Sequence, residues 1–152
     1  MKILLVHQNF PGQFKHIYPI LAADPANEVV VFAMNGFEGP EGLRVVKYKP
    51  GRGNAPETHP WLLDVETKTI RGEAAFKAAM QLKSEGFTPD LILGHPGWGE
   101  CLFLKDVWPT AKALLYAEFY YQQSGSDVGF DEEFHKASAA DLCRIRYKNI
   151  NT

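Results

Sequence analysis

Asp90-Leu91-Ile92-Leu93-Gly94-His95-Pro96-Gly97-Trp98-Gly99-Glu100 is the stretch whose reading decides the fold. Leu91 to Leu93 is an apolar run without alternation, the pattern of a strand buried on both faces. Such strands belong to parallel sheets covered by helices on either side. In those sheets ligands bind beyond the carboxyl ends of the strands. The run ends at His95, and Pro96, Gly97 and Gly99 then turn the chain. An imidazole, a large aromatic (Trp98) and a carboxylate (Glu100) are therefore delivered to the edge where this architecture does its chemistry.

Working outward, the N-terminus repeats the arrangement. Ile3-Leu4-Leu5-Val6 runs into His7-Gln8-Asn9-Phe10-Pro11-Gly12-Gln13-Phe14. Residues 2–7 are a first strand. Phe14, Ile17, Tyr18 and Leu21 then keep helical spacing, with Pro11 placed to start the helix and Pro19 to kink or shorten it. Residues 28–33 and 43–48 are the next two strands, separated by a loop holding Gly36, Gly39, Pro40 and Gly42. A polar loop over 50–60 precedes the longest helix, 61–85. Its Val65, Gly72, Phe76 and Ala79/Met80 return to one side, and Gly86 stops it. Strand four is 90–94, a helix covers 98–106, and strand five lies within 112–117. Residues 118–134 lose periodicity, and a last helix runs over 137–148. The order β-α-β-β-α-β-α-β-α predicts an α/β fold: a doubly wound, mostly parallel, Rossmann-like sheet with helices on both faces. The ending, Arg146 to Thr152, shows no glycine stop and no closing strand. The expectation is one domain over 1–152, truncated before its last strand, whose uncovered sheet edge invites self-association.

The 152 residues are enough for one domain with a real core, and the hydrophobic fraction of 45% is ordinary. A formal net charge of -2, with no run of Lys or Arg, argues against a nucleic-acid partner. Cys101 and Cys143 are too few for a zinc cage or a disulfide framework, which suggests reduced thiols in a cytoplasmic protein. Cys101 reads as a small buried hydrophobe or, less simply, as a nucleophile. His7, His16 and His135 have no ligand spacing with a carboxylate or cysteine, so no metal is expected. No run approaches about 18 apolar residues, so no spanning helix is expected, and the start lacks the pattern of a signal peptide. The dinucleotide fingerprint G-x-G-x-x-G is absent, which argues against an NAD enzyme.

Taken together, Met1 to Phe14, His59-Pro60-Trp61, Arg71-Gly72-Glu73-Ala74, Pro89 to Glu100, Phe103 to Val107 and Glu118-Phe119-Tyr120-Tyr121 resemble the N-terminal domain of glycosyltransferase family 4. These are retaining enzymes of GT-B architecture, and the resemblance extends over nearly the whole chain. It implies one half of a two-domain transferase. That half holds a sugar or glycolipid acceptor, and a nucleotide-sugar donor is held chiefly by a C-terminal domain absent from this sequence. It implies no cofactor in this half, an inactive isolated fragment, and a cytoplasmic enzyme that can be peripheral to a membrane. Two rival readings are a stand-alone flavodoxin-like ligand-binding or regulatory module, and half of a nucleotide-sugar epimerase.

By resemblance His95 is the catalytic candidate, a histidine near the transferred sugar. Its rival reading is an imidazole that satisfies backbone groups of the turn. Gly97 and Gly99 either open the backbone to a sugar oxygen or simply permit the turn. Trp98 stacks on a sugar or anchors the turn. Glu100 accepts sugar hydroxyls or favours a helix dipole. Gly12 falls in the loop that faces the donor phosphates, where many members carry two adjacent glycines and this chain carries one. Gln8 and Asn9 bind sugar hydroxyls, or Asn9 caps a helix. Glu118, beyond strand five, is a site carboxylate or a buried hydrogen-bonded one. His59 and Trp61 line the acceptor side or pack a surface loop. Tyr120 and Tyr121 are cleft aromatics or loop anchors.

Overall fold

The computed structural model describes residues 1–150 except 35, 126, 127, 129, 131, 132 and 134–136. His135 and parts of the 118–134 loop thus lie outside the described residues. Among the described residues five strands form one sheet: β1 (Lys2–Val6), β2 (Glu28–Ala33), β3 (Arg44–Lys47), β4 (Leu91–Gly94) and β5 (Lys112–Leu115). Their order is β3-β2-β1-β4-β5, and every neighbouring pair is parallel. The order reverses between β1 and β4, the switch point where doubly wound sheets open a crevice.

The unalternating strands explain both layers. Ile3, Leu4, Leu5 and Val6 are fully buried. Leu4 and Val6, with Val30, Phe32 and Ile92, face α2 (Leu63–Ser84) and α3 (Leu104–Val107). Ile3 and Leu5, with Val29, Val31 and Leu93, face Phe10, Phe14 and α1 (Tyr18–Ala23). Burying each such side chain stabilises the fold by roughly 1.5–3 kcal/mol. Among the described residues the β2–β3 crossover has no helix. Phe37 of that connection packs edge-on against Phe10 at 4.8 Å and Tyr18 at 5.8 Å, so an aromatic cluster covers the face instead.

Several expected elements are redrawn. The segment after Pro11 is a 3-10 turn, Gly12–Phe14, and Pro19 sits in the first turn of α1. Proline there starts a helix rather than kinking one, because the first-turn N–H groups need no intrahelical partner. The long helix begins with a 3-10 turn, Pro60–Leu62, before α2 proper. Its inward residues are Ile70, Gly72, Ala75, Ala79 and Leu82, while Met80 is exposed. Ala75, Ala79 and Leu82 pack into the core beneath the sheet, and the large Met80 is turned outward. The expected helix over 98–106 shrinks to the 3-10 turn Pro96–Trp98 and the four residues of α3. Gly99 separates them at φ +108°, outside the helical region. The last helix, α4 (Ala139–Lys148), starts at a capping box between Ser138 and Asp141. Among the described residues β5 pairs only with β4, and all four of its residues are exposed.

Candidate functional site

At the carboxyl edge of the sheet, the backbone ladder continues one residue past β1 and β4. The His7 N–H donates to Phe32 O at 3.2 Å and the His95 N–H to Val6 O at 3.1 Å. The two imidazoles therefore stand side by side at the switch point, ring centroids 5.2 Å apart. Each is fixed by the backbone two residues on. Asn9 N–H donates to His7 Nδ1 at 3.0 Å, and Gly97 N–H to His95 Nδ1 at 3.2 Å. With Nδ1 accepting, the proton of each neutral ring resides on Nε2.

Those Nε2 groups end on one chain of side chains. His7 Nε2 meets Gln13 Oε1 at 2.7 Å, and Gln13 Nε2 donates to Glu118 Oε2 at 3.0 Å. His95 Nε2 meets the same Glu118 Oε2 at 3.2 Å. One carboxylate oxygen thus takes both donors. Glu118 is part-exposed, and its Oε1 has no protein hydrogen bond among the described residues. Burial is the main cause that holds the His7 pKa below its ordinary value, and the neighbouring His95 adds to it. A neutral His7 donates to Gln13, which orients the Gln13 amide toward Glu118.

A cavity of about 350 Å³ opens on this unit. His95, Gly97, Trp98 and Glu118 line it, with Arg71 and Lys68 from α2 and Phe119, Tyr121 and Lys148 from the C-terminal part. α4 holds that wall. Asn149 exchanges two 2.8 Å hydrogen bonds with the Tyr121 backbone, and Lys148 Nζ lies 4.8 Å from the Tyr121 ring centroid. The Trp98 ring is 43% exposed, and it faces His95 in a stacked arrangement at 6.5 Å. An exposed indole face beside a carboxylate with a free oxygen is a surface suited to a polyhydroxylated ring. α2 reaches the turn because neither backbone carries a side chain at the crossing. A Cβ on Gly99 would lie 2.2 Å from Lys68 O, and one on Gly72 2.8 Å from Gly99 O.

Residues 25–152 match the glycosyl transferase family 4 group. The chain belongs to that family. It is an N-terminal domain of the family 4 type, and the family makes it part of a glycosyltransferase. No curated protein matches the chain. The matched span includes β2 to α4, with His95, Trp98 and Glu118. His7 and Gln13 precede it.

In this glycosyltransferase domain the sequence candidates separate. His95, Gly97, Trp98 and Glu118 share the cavity. Gln8, Asn9 and Gly12 lie at the same sheet edge but outside its lining. Gln8 is buried and its carbonyl accepts from Met34 N–H. Asn9 gives its backbone N–H to His7 and caps no helix. Gly12, at φ +46°, passes under the His7 ring, where a Cβ would sit 2.4 Å from Cε1. Glu100 is 1% exposed and outside both the cavity and a helix, which corrects its reading as a hydroxyl acceptor or a first-turn glutamate. Burial raises its pKa. His95 is itself buried at 4% exposure, although a strand-end histidine before a glycine turn is expected to bury little. The rings of His7, Trp98 and Tyr116 around it account for this.

Tyr121 lines the cavity while Tyr120 is exposed. His59 accepts from Trp61 N–H at 3.2 Å and packs against its ring, outside the cavity. The Cys101 thiol is pushed up to about 12 by burial, which disfavours a nucleophilic thiolate. Sequence reasoning missed His7, Gln13 and Arg71. The signal was present for His7, in the parallel between His7-Gln8-Asn9 and His95-Pro96-Gly97. None of the described helices is long and apolar enough to cross a membrane.

Proposed function

We propose that this domain binds the acceptor of a retaining, nucleotide-sugar-dependent glycosyltransferase, with the reacting sugar hydroxyl beside His95 and Glu118. The observation that carries the reading is the continuous hydrogen-bonded unit His7–Gln13–Glu118–His95 at the switch point. It opens on a cavity with an exposed indole face. Glu118 Oε1 accepts the acceptor hydroxyl. The His95 imidazole, bonded to the same carboxylate, supplies a polar edge to charge that develops on the transferred sugar. Trp98 covers a sugar face. The donor, the second half of its site and the acceptor, a sugar or glycolipid, come from outside this chain, in a cytoplasmic enzyme. The isolated chain therefore transfers no sugar. The test is a transfer assay on the complete protein with a panel of nucleotide-sugars, for wild type and Glu118→Ala. The reading expects transfer with retained anomeric configuration and its loss in the variant. Transfer by residues 1–152 alone, or unchanged transfer in Glu118→Ala, contradicts it.

A further inference from the structure

A second cavity, of about 920 Å³, adjoins the first and shares Thr67 and Arg71 with it. It lies at the carboxyl end of β3, between the loop that follows and α2. Its wall carries four cationic side chains, Lys47, Lys49, Arg52 and Arg71, and no Asp or Glu among the described residues. In a chain of net charge -2 this is a local inversion. Two of the four are already neutralised from outside the cavity, Lys47 by Glu38 at 2.8 Å and Arg52 by Glu66 at 2.8 Å. Lys49 and Arg71 form no salt bridge among the described residues. Arg71 is also placed rather than loose. Its guanidinium lies over the Trp98 ring at 5.8 Å, on the wall between the two cavities. Glu100 and Tyr48 interact with it electrostatically from the buried side. Burial raises the Glu100 pKa, and the Arg71 charge opposes that rise.

We propose that this larger cavity binds a phosphate group of the substrate, held between Lys49 and Arg71. This rests on the transferase reading only in calling the ligand a substrate. The phosphate anchors one end of a molecule whose sugar reaches past Arg71 and Trp98 to Glu118. Two cations that form no salt bridge among the described residues and face a shared space suit a dianion better than a neutral sugar. Because that sugar ends at Glu118, the phosphate is that of a phosphorylated acceptor.

The test follows the backbone amides of the intact chain by NMR during titration with glucose 6-phosphate, uridine diphosphate, glucose and inorganic phosphate. Saturable shifts at Lys49, Asn54 and Arg71 with a phosphorylated compound, and none with glucose, support the site. Glucose 6-phosphate is expected to bind more tightly than uridine diphosphate, and the reverse order overturns the acceptor site. Lys49→Ala combined with Arg71→Gln is expected to weaken that binding at least tenfold. Lys49→Glu alone, at an exposed position, does the same without touching the core. Equal binding of glucose, shifts confined to other residues, or unchanged affinity in Lys49→Glu overturns the inference. Because binding is read without turnover, it stands or falls separately from sugar transfer. A complete enzyme that transfers sugar while the chain ignores every phosphate would sink this site and spare the transferase reading.

Discussion

The turn after β1 and the turn after β4 begin with the same device, a histidine whose Nδ1 accepts the backbone N–H two residues on. Both rings are almost equally buried, His7 at 5% and His95 at 4% exposure. What differs is the partner of Nε2. His7 spends it on Gln13, a neutral amide that itself points at Glu118. His95 spends it on Glu118 directly, on the wall of a cavity. The pair teaches that burial does not distinguish the two histidines. The group at the far nitrogen, and whether that group meets open space, does.

The widest separation of the two turns is expected in catalysis. In the complete enzyme His95→Ala should lower turnover per folded molecule by roughly 3–4 kcal/mol of transition-state stabilisation, on the order of a hundredfold or more. His7→Ala should cost less, because Gln13 still bonds Glu118. Turnover and melting midpoint must be measured on the same preparation, since both rings are buried. If His95→Ala stays within roughly threefold of wild type (about 0.6 kcal/mol), the two turns are equivalent supports.

The glycines that close the turns come next. Gly99→Ala forces a Cβ to 2.2 Å from a carbonyl of α2 at φ +108°, and helix backbone cannot give way. A loss of roughly 3 kcal/mol or more is expected in denaturant unfolding. Gly12→Ala collides instead with the His7 ring, which can swing at the cost of its bond to Gln13. Roughly 1–2 kcal/mol is expected there. An equal loss at both positions would mean that the β1 turn is as rigid as the β4 turn.

The smallest effects are in pH dependence, and they have opposite signs. The His7 pKa is lowered in the fold, chiefly by burial, so the unfolded chain binds more protons. Its contribution is complete above the unfolded value near 6.5 and is lost as pH falls through the folded value. Glu100, beside the β4 turn, is raised by burial, so its contribution is present below about 4.5 and lost as pH rises through the folded value. Melting midpoints between pH 5 and 8 should therefore fall less on acidification in His7→Gln. They should fall less as pH rises above about 4.5 in Glu100→Gln. Variants that keep the wild-type profile would remove both groups from the balance.

The sheet was legible because β1, β2 and β4 are apolar without alternation, the pattern of parallel strands covered on both faces, and they alternate with helical segments. The helices after the turns were less so. Helical spacing from Phe14 to Leu21 and from Trp98 onward is real, but Pro19 and Gly99 set where helix is allowed, and both act through backbone geometry. The shared placement of His95, Trp98 and Glu118 on one cavity followed from their position at strand ends. Glu100 did not, because spacing cannot tell a turn residue that faces the cavity from one folded beneath it. Gln13 and Arg71 join the site only through contacts across 105 residues of chain and across the α2 crossing, and no local pattern encodes those.

The central claim is that His7, Gln13, Glu118 and His95 form one hydrogen-bonded unit with the proton of each neutral ring on Nε2. Long-range ¹H–¹⁵N NMR of the imidazole nitrogens tests it most directly, in the wild-type chain and in Glu118→Ala. The expected result at neutral to alkaline pH is the Nε2–H tautomer for both rings, with Glu118→Ala shifting the Nε2 of His95 strongly and that of His7 weakly through Gln13. An Nδ1–H tautomer at His95, or no response of either ring to the loss of Glu118, would contradict it.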